Sequence, residues 1–166
     1  MFVNHHPTTR QKGFSLLEVL ITILIVSFGL LGMAALIISG ARSNNIAHYR
    51  SVDSKQTEDI ADRMRANRAG LIAGAYDALA ATTPDSVDCV TNACSETQIA
   101  TYDHAQWNTA NAQLLPGGLG RVDGTVALGY QITLRWTEKG MNGEADLTCP
   151  NGVPTNTRCF VTRFAP

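Results

Sequence analysis

A glycine-phenylalanine step followed by a lone carboxylate at the mouth of a long apolar run is the most chemically loaded pattern in this chain. In Gly13-Phe14-Ser15-Leu16-Leu17-Glu18, Glu18 is the only ionisable side chain between Gly13 and Ala41. A charge at mid-bilayer costs about 2.5–3.5 kcal/mol on insertion scales, and less near the headgroups. Glu18 therefore either sits at the interface or is reserved for a partner.

Two further sets of residues could do chemistry. Cys89, Cys94, Cys149 and Cys159 all lie beyond the apolar run, spaced C-x4-C and C-x9-C with no histidine beside either pair. Zinc sites usually pair tight C-x2–4-C motifs with each other or with histidines, so no metal site is expected and disulfides are. Four cysteines allow three pairings, and sequence alone does not choose among them. The preferred one joins Cys89 to Cys94 and Cys149 to Cys159, each closing a small loop worth roughly 2–3 kcal/mol. Such bonds persist in an oxidising compartment such as the bacterial periplasm, which puts the residues after Ala41 outside the cytoplasm. Arg42 and Arg50 follow the apolar run closely, so the positive-inside rule supports this orientation only weakly.

The second set is Asp103-His104 together with Ser86, the raw material of a nucleophile and its base. No H-E-x-x-H, G-x-S-x-G or G-K-[ST] motif accompanies them, and an isolated Asp-His neighbour pair reads as ordinary surface side chains. The glycines from Gly117 to Gly124 lack a following lysine and helix, so they read as a turn-rich loop and not a phosphate cradle. No catalytic residue, cofactor or enzymatic activity is expected.

The elements that position these residues begin with the run itself. It exceeds the roughly 20 apolar residues a helix needs to cross a bilayer, and predicts one membrane-embedded helix. Arg10 and Lys12, with His5 and His6, form a basic leader free of acids. No A-x-A-like exit follows the run, unlike a secretory signal. A cut after Gly13 would leave the apolar helix on the mature protein.

The helical pattern continues past the run. Ile46, Tyr49, Val52, Gln56, Ile60, Met64 and Asn67 recur at three- and four-residue intervals, as one helix face does. Asp59 and Arg63 make an i,i+4 pair, and Arg65 and Arg68 sit where they complement the helix C-terminal dipole. Gly70 is the expected stop. With no proline between residues 14 and 69, one helix of ~84 Å at about 1.5 Å per residue is predicted. Gly29 and Gly32 lie within its apolar half. They serve either close helix packing in the membrane or local loosening of the helix, since each costs about 1 kcal/mol of helix propensity against alanine.

Leu71 to Ser95, rich in Ala, Thr, Asp and Ser, reads as a connecting region. A second helix is predicted from Tyr102 to Leu115, with Trp107, Ala110, Asn111 and Leu114 on one face and Pro116-Gly117-Gly118 ending it. Val126, Leu128, Tyr130, Ile132, Leu134 and Trp136 alternate with polar residues, the signature of a half-buried strand. Met141-Asn142-Gly143 then reads as a turn, Glu144 to Cys149 as a second strand, and Arg158 to Phe164 as a third with Phe160 and Phe164 on one face. These patterns predict an α+β fold in which a long N-terminal helix, membrane-embedded in its first half, packs on a small antiparallel sheet tied by two disulfides.

The 166 residues carry a net charge of −1, so no global field points to nucleic acid or anionic lipid. Arg63, Arg65 and Arg68 form a local basic cluster, but no aromatic platform is interleaved with it. Nucleic-acid binding is not expected.

With these residues in view, the chain resembles a known family. Gly13-Phe14-Ser15-Leu16-Leu17-Glu18 looks like the processing site of type IV prepilins. The resemblance implies that prepilin peptidase cuts after Gly13, that Phe14 becomes the N-methylated terminus, and that Glu18, fifth in the mature chain, meets the terminal amine of a neighbouring subunit on assembly. It also implies that the helix loosens near Gly29 and Gly32 on leaving lipid. Many major pilins carry a helix-bending proline nearby, where this chain has Ala34, Ala35 and Leu36.

Within the family, the segment GLLGMAAL, the run from Ala61 to Arg68, and Trp107 leading to Leu115-Pro116-Gly117-Gly118-Leu119-Gly120 are similar to PilV-type minor pilins, the type IV pilus modification proteins. That resemblance implies a leader over residues 1–13, a transmembrane and assembly helix over 14–41, and a periplasmic head over 42–166. It implies a minor pilin that helps initiate pilus assembly in a tip-located complex, supporting twitching motility and adhesion. Its partners would be other minor pilins, a tip adhesin, the major pilin, prepilin peptidase and the inner-membrane assembly platform. The protein would lie in the inner membrane with a periplasmic head before assembly, and in the filament, at or near the tip, afterwards. A minor pseudopilin of a type II secretion system shares the same N-terminal chemistry and is the alternative.

Overall fold

A computed structural model describes residues 13–138, 143, 146–150 and 152–166. The chain divides into two compact units, Met1–Asn45 and Ile46–Pro166. Helix α1 (Leu16–Ala66) contributes to both. After it come α2 (Arg68–Ile72), β1 (Ala78–Leu79), α3 (Glu96–Leu114), β2 (Leu119–Thr125), β3 (Gly129–Thr137) and β4 (Thr157–Phe164).

In the first unit, the apolar run forms α1 without a break through Gly29 and Gly32. Two of its hydroxyls turn back on the helix. Thr22 Oγ1 donates to the carbonyls of Glu18 and Val19 at 2.9 and 2.8 Å, and Ser27 Oγ to that of Ile23 at 2.7 Å. A hydroxyl satisfied by its own backbone adds no polar demand on a hydrocarbon surrounding.

In the second unit, the C-terminal part of α1 buries Asp53, Thr57, Ile60, Ala61 and Met64, with Tyr49 and Val52 half-buried at the margin of the core. The helix ends earlier than its periodicity predicts. Asn67 leaves the helical region (φ −96°, ψ 61°) and its side chain accepts from Gly70 N, so it caps a new short helix and Gly70 lies inside α2, not at a stop. The bend is held by side chains. Asn67 Nδ2 donates to Glu96 O at 2.8 Å, and a Cβ on Gly70 would sit 2.5 Å from that same Nδ2 and 2.8 Å from Glu96 O.

The sheet has the order β1-β2-β3-β4, every pair antiparallel. Tyr130, Ile132, Leu134 and Trp136 on β3 are buried, whereas Val126 and Leu128 are exposed in the turn that precedes it. The predicted alternation therefore begins two steps too early. The stretch expected as a glycine-rich loop is strand β2, registered on β3 from Leu119↔Arg135 to Thr125↔Gly129. Glycine is found there because Trp107 lies against the strand. A Cβ on Gly120 would fall 2.1 Å from the indole Cη2.

Helix α3 starts six residues before Tyr102. Ser95 caps it, accepting from Gln98 N while Gln98 Oε1 accepts from Ser95 N, a capping box that moves the boundary N-terminal. Its core face carries Ala100, Trp107, Asn108 and Asn111; Leu114 is exposed and Leu115, just past the helix, is buried instead. The region from Leu71 to Ser95 holds the end of α2 and strand β1.

Met141, Asn142, Glu144 and Ala145, on which the predicted turn and second strand partly fall, lie outside the described residues. Within that predicted strand, Leu147, Thr148 and Cys149 are turn and bend. The Asp146 carboxylate accepts from Thr148 N and Thr148 Oγ1 at 3.0 and 2.9 Å, which folds the backbone locally instead of extending it. The place beside β3 is taken by β4, from Tyr130↔Phe164 to Thr137↔Thr157. Cys89 is bonded to Cys94, and Cys149 to Cys159.

Candidate functional site

The N-terminal residues of interest fall within one turn. Gly13, Phe14 and Ser15 precede α1, and the first helical hydrogen bond runs from Val19 N to Ser15 O at 3.3 Å. Glu18 occupies the first turn, where a carboxylate complements the positive end of the helix dipole. Among the described residues no donor meets its side-chain oxygens.

Every large apolar side chain from Phe14 to Ile38 is exposed, Phe14 at 83% and Leu17 at 65%. Among the described residues α1 is the one helix long and apolar enough to cross a membrane. Gly29 and Gly32 lie roughly 16–21 Å further along it at about 1.5 Å per residue, and an added Cβ at either meets nothing within 4 Å. Among the described residues no contact requires either glycine.

The remaining sequence-predicted residues are in the head. The Cys89–Cys94 bond closes an exposed loop ahead of α3, and Cys149–Cys159 fastens a turn to β4. No group of three or more His, Cys, Asp or Glu side chains suited to a metal is found among the described residues.

The Asp103-His104 pair is not on the surface; both are buried. Asp103 accepts from Tyr76 Oη at 2.6 Å and from Arg63 Nη1 at 3.3 Å, while Asp59 takes Arg63 Nε at 2.9 Å. Asn67 Nδ2 reaches Tyr76 Oη at 3.1 Å. Burial, followed by the Asp103 carboxylate, pushes the Tyr76 phenol well above its ordinary range. His104 Nε2 lies 2.8 Å from Ala80 O, so that nitrogen carries the proton, and burial lowers the ring's pKa. This network joins α1, the cap of α2 and α3.

Two arginines of the cluster are likewise engaged. Arg63 is held by two aspartates, and Arg65 pairs with Asp62 at 2.6 Å and lies 4.7 Å over the Phe164 ring. Arg68 begins α2 and does not end α1.

Two buried polar residues, Asn108 and Asp53, escaped the sequence reading, as did the backbone partner of Trp107. Asn108, fully buried, brackets Gly120 from both sides, its Oδ1 accepting from Gly120 N at 2.6 Å and its Nδ2 donating to Gly120 O at 3.1 Å. Trp107 Nε1 donates to Gln56 O at 2.8 Å, tying α3 to α1. Asp53 is fully buried, and neither carboxylate oxygen has a partner among the described residues. Desolvation raises its pKa to about 7 against the pull of Arg50. Its position between Val52 and Gln56 of the buried stripe was the available signal.

Two family models match the chain. The prokaryotic N-terminal methylation motif covers residues 8–34, and Type IV pilin Tt1218 covers residues 41–105. Together they span more than half of the sequence. Neither a curated protein nor a solved structure matches it significantly.

Proposed function

Because the chain belongs to the type IV pilin family, we propose that it is a PilV-type minor pilin that helps initiate pilus assembly within a tip-located complex, supporting twitching motility and adhesion. What carries this reading is the juxtaposition at the N-terminus: Gly13-Phe14 followed within one turn by a carboxylate that has no donor among the described residues, on a helix whose large apolar side chains from Leu16 to Ile38 are all exposed. The methylation motif and the apolar helix fit a pilin anchored in the membrane before assembly.

In this mechanism residues 1–13 are a leader. Prepilin peptidase cleaves after Gly13 and methylates the Phe14 amine, leaving residues 14–41 as the membrane and assembly helix and 42–166 as the periplasmic head. Glu18 then gains the terminal amine of a neighbour. A charge that is costly alone and compensated in one axial register favours that register over the free subunit in lipid. Gly29 and Gly32 loosen the helix as it leaves the bilayer, and the disulfide-tied head selects other minor pilins, a tip adhesin and the major pilin on the assembly platform. The protein acts by assembly, not by catalysis.

The test is the intact mass of the protein from membranes of cells with and without prepilin peptidase. Loss of residues 1–13 with gain of one methyl group, only when the peptidase is present, is the expected result; an uncut chain in both overturns it. Labelling at the tips of sheared pili then separates this role from a pseudopilin, whose deletion would abolish secretion and leave piliation intact.

A further inference from the structure

The fourth strand has one side on β3 and its other side only half closed. Asp146 N donates to Thr157 O at 2.8 Å, and Thr148 Oγ1 to Cys159 O at 3.2 Å, so the turn fastened by the Cys149–Cys159 bond covers the first part of that outer edge. Alternation along a strand then directs the main-chain groups of Val161 and Arg163 the same way. Among the described residues nothing pairs with them.

Beside this open stretch run two concavities shared by β4 and α1. The larger, about 290 Å³, is lined by Ile46, Arg50, Trp136, Phe160 and Val161 among others. The smaller, about 110 Å³, continues it past Thr57, Glu58, Arg65 and Arg163. The indole Nε1 of buried Trp136, which helps line the larger one, has no acceptor among the described residues. Arg50 and Arg163 have no acidic partner among the described residues, whereas Arg65 and Arg158 do. Among the described residues the groove thus offers unpaired main-chain donors and acceptors, an apolar hollow and two guanidinium groups without a salt-bridge partner, against one carboxylate without one, that of Glu58.

We propose that the Val161–Arg163 edge of β4 receives an extended segment of a different protein of the assembly, one that adds a strand to the sheet and brings an acidic side chain to Arg163 or Arg50. Main-chain bonds supply the affinity in such strand addition, and flanking hollows the specificity. A second copy of this chain is a poorer occupant. Antiparallel pairing of two such edges sets Val161 against Arg163 of the other copy and makes the two Arg163 side chains diagonal neighbours, where like charges repel. The inference rests on the chain being an assembling subunit, and it is read out on the head, independently of N-terminal cleavage.

The experiment uses the full-length protein in its own cells, with p-benzoylphenylalanine in place of Val161 and, as control, in place of Ala78 on the opposite edge of the sheet. Light should yield an adduct at 161 whose cross-linked peptide, identified by mass spectrometry, comes from an acid-bearing segment of another protein; Arg163→Glu should abolish it. In parallel, Val161→Pro removes the outward N–H at an edge position that tolerates proline, while Val161→Thr keeps it. Filament incorporation should fall up to about tenfold for V161P, the loss of one main-chain bond, and less than about twofold for V161T. Both variants must retain two disulfides by alkylation mass. An adduct only with a second copy overturns the proposal, as does incorporation of V161P equal to that of V161T. If the chain is cut and methylated normally in either case, the pilin reading survives the failure of this one.

Discussion

The two halves of α1 solve opposite problems with the same backbone. From Leu16 to Ile38 its large apolar side chains face outward, its hydroxyls are returned to its own carbonyls, and one carboxylate is left over. From Tyr49 to Met64 its apolar side chains face the sheet and α3, and the buried surface includes Asp53 and Thr57. In the first half, satisfaction must come from outside the chain, from lipid and then from neighbouring subunits. In the second, nearly everything is met within the head. A substitution in the first half should therefore change where the protein goes, and one in the second should change whether the head holds together.

The largest expected effect breaks that comparison at its start. Gly13→Asp should block cleavage, so that the intact mass retains residues 1–13 and no subunit reaches the filament; accumulation of normally shortened protein would refute the assigned site. Glu18→Ala should come next. The chain should insert in the membrane and be cut as before, while incorporation into sheared pili falls by more than about tenfold, since a charge pair buried on assembly is worth several kcal/mol when one partner is removed. Wild-type incorporation would remove the docking role from Glu18.

In the head the expected effects are on stability. A methyl group on Gly120 would lie 2.1 Å from the Trp107 ring, and that ring is held by its bond to Gln56 O. Either β2 moves off α3 or the indole leaves its site. Gly120→Ala should lower the stability of the full-length protein in detergent by about 1–3 kcal/mol, the usual cost of overpacking, while processing at Gly13 continues unchanged. An unaltered melting curve would mean that the indole has room to shift.

This contrast also explains what was readable beforehand. The apolar helix and its lone carboxylate are local facts of composition, and so is the alternation of Tyr130, Ile132, Leu134 and Trp136. Strand β2 was hidden because Gly118, Gly120 and Gly124 look like turn residues until Trp107 is seen lying on the strand. The end of α1 was misplaced because Asn67 falls on the apolar stripe, and only its long-range bonds to Tyr76 and Glu96 reveal it as a bend. Asp103-His104 read as surface side chains since neither Arg63 nor Ala80, their partners, is near them in sequence. Of the N-terminal site, Gly13, Phe14 and Glu18 were legible because all three lie within six residues; the β4 edge was not, because it depends on which strand the sheet leaves outermost.

Asp53 sharpens the comparison from within: like Glu18 it has no donor to its oxygens among the described residues, but unlike Glu18 it is fully buried. Its surroundings tell the two apart. The helix stretch that carries it meets the Trp136 ring through Tyr49, at 6.5 Å, and Trp107 through Gln56 O, and Arg50 is the one charge that acts on it. Desolvation holds its folded-state pKa near 7, above the ordinary 3.8. The folded chain therefore keeps a proton that the unfolded chain has lost. The stability this contributes is fully present below about pH 4, declines as the pH rises, and is gone above about pH 7. Asp53→Asn keeps the shape and removes the titration. It should match the wild type near pH 4 and exceed it by up to about 4 kcal/mol at pH 8, since each tenfold difference in proton affinity between the folded and unfolded chains is worth about 1.36 kcal/mol. Parallel stability-pH curves for the two proteins would show that Asp53 finds a donor in the folded head, which would leave Gln56 Oε1 as the buried side-chain atom of the second half of α1 still without a partner among the described residues.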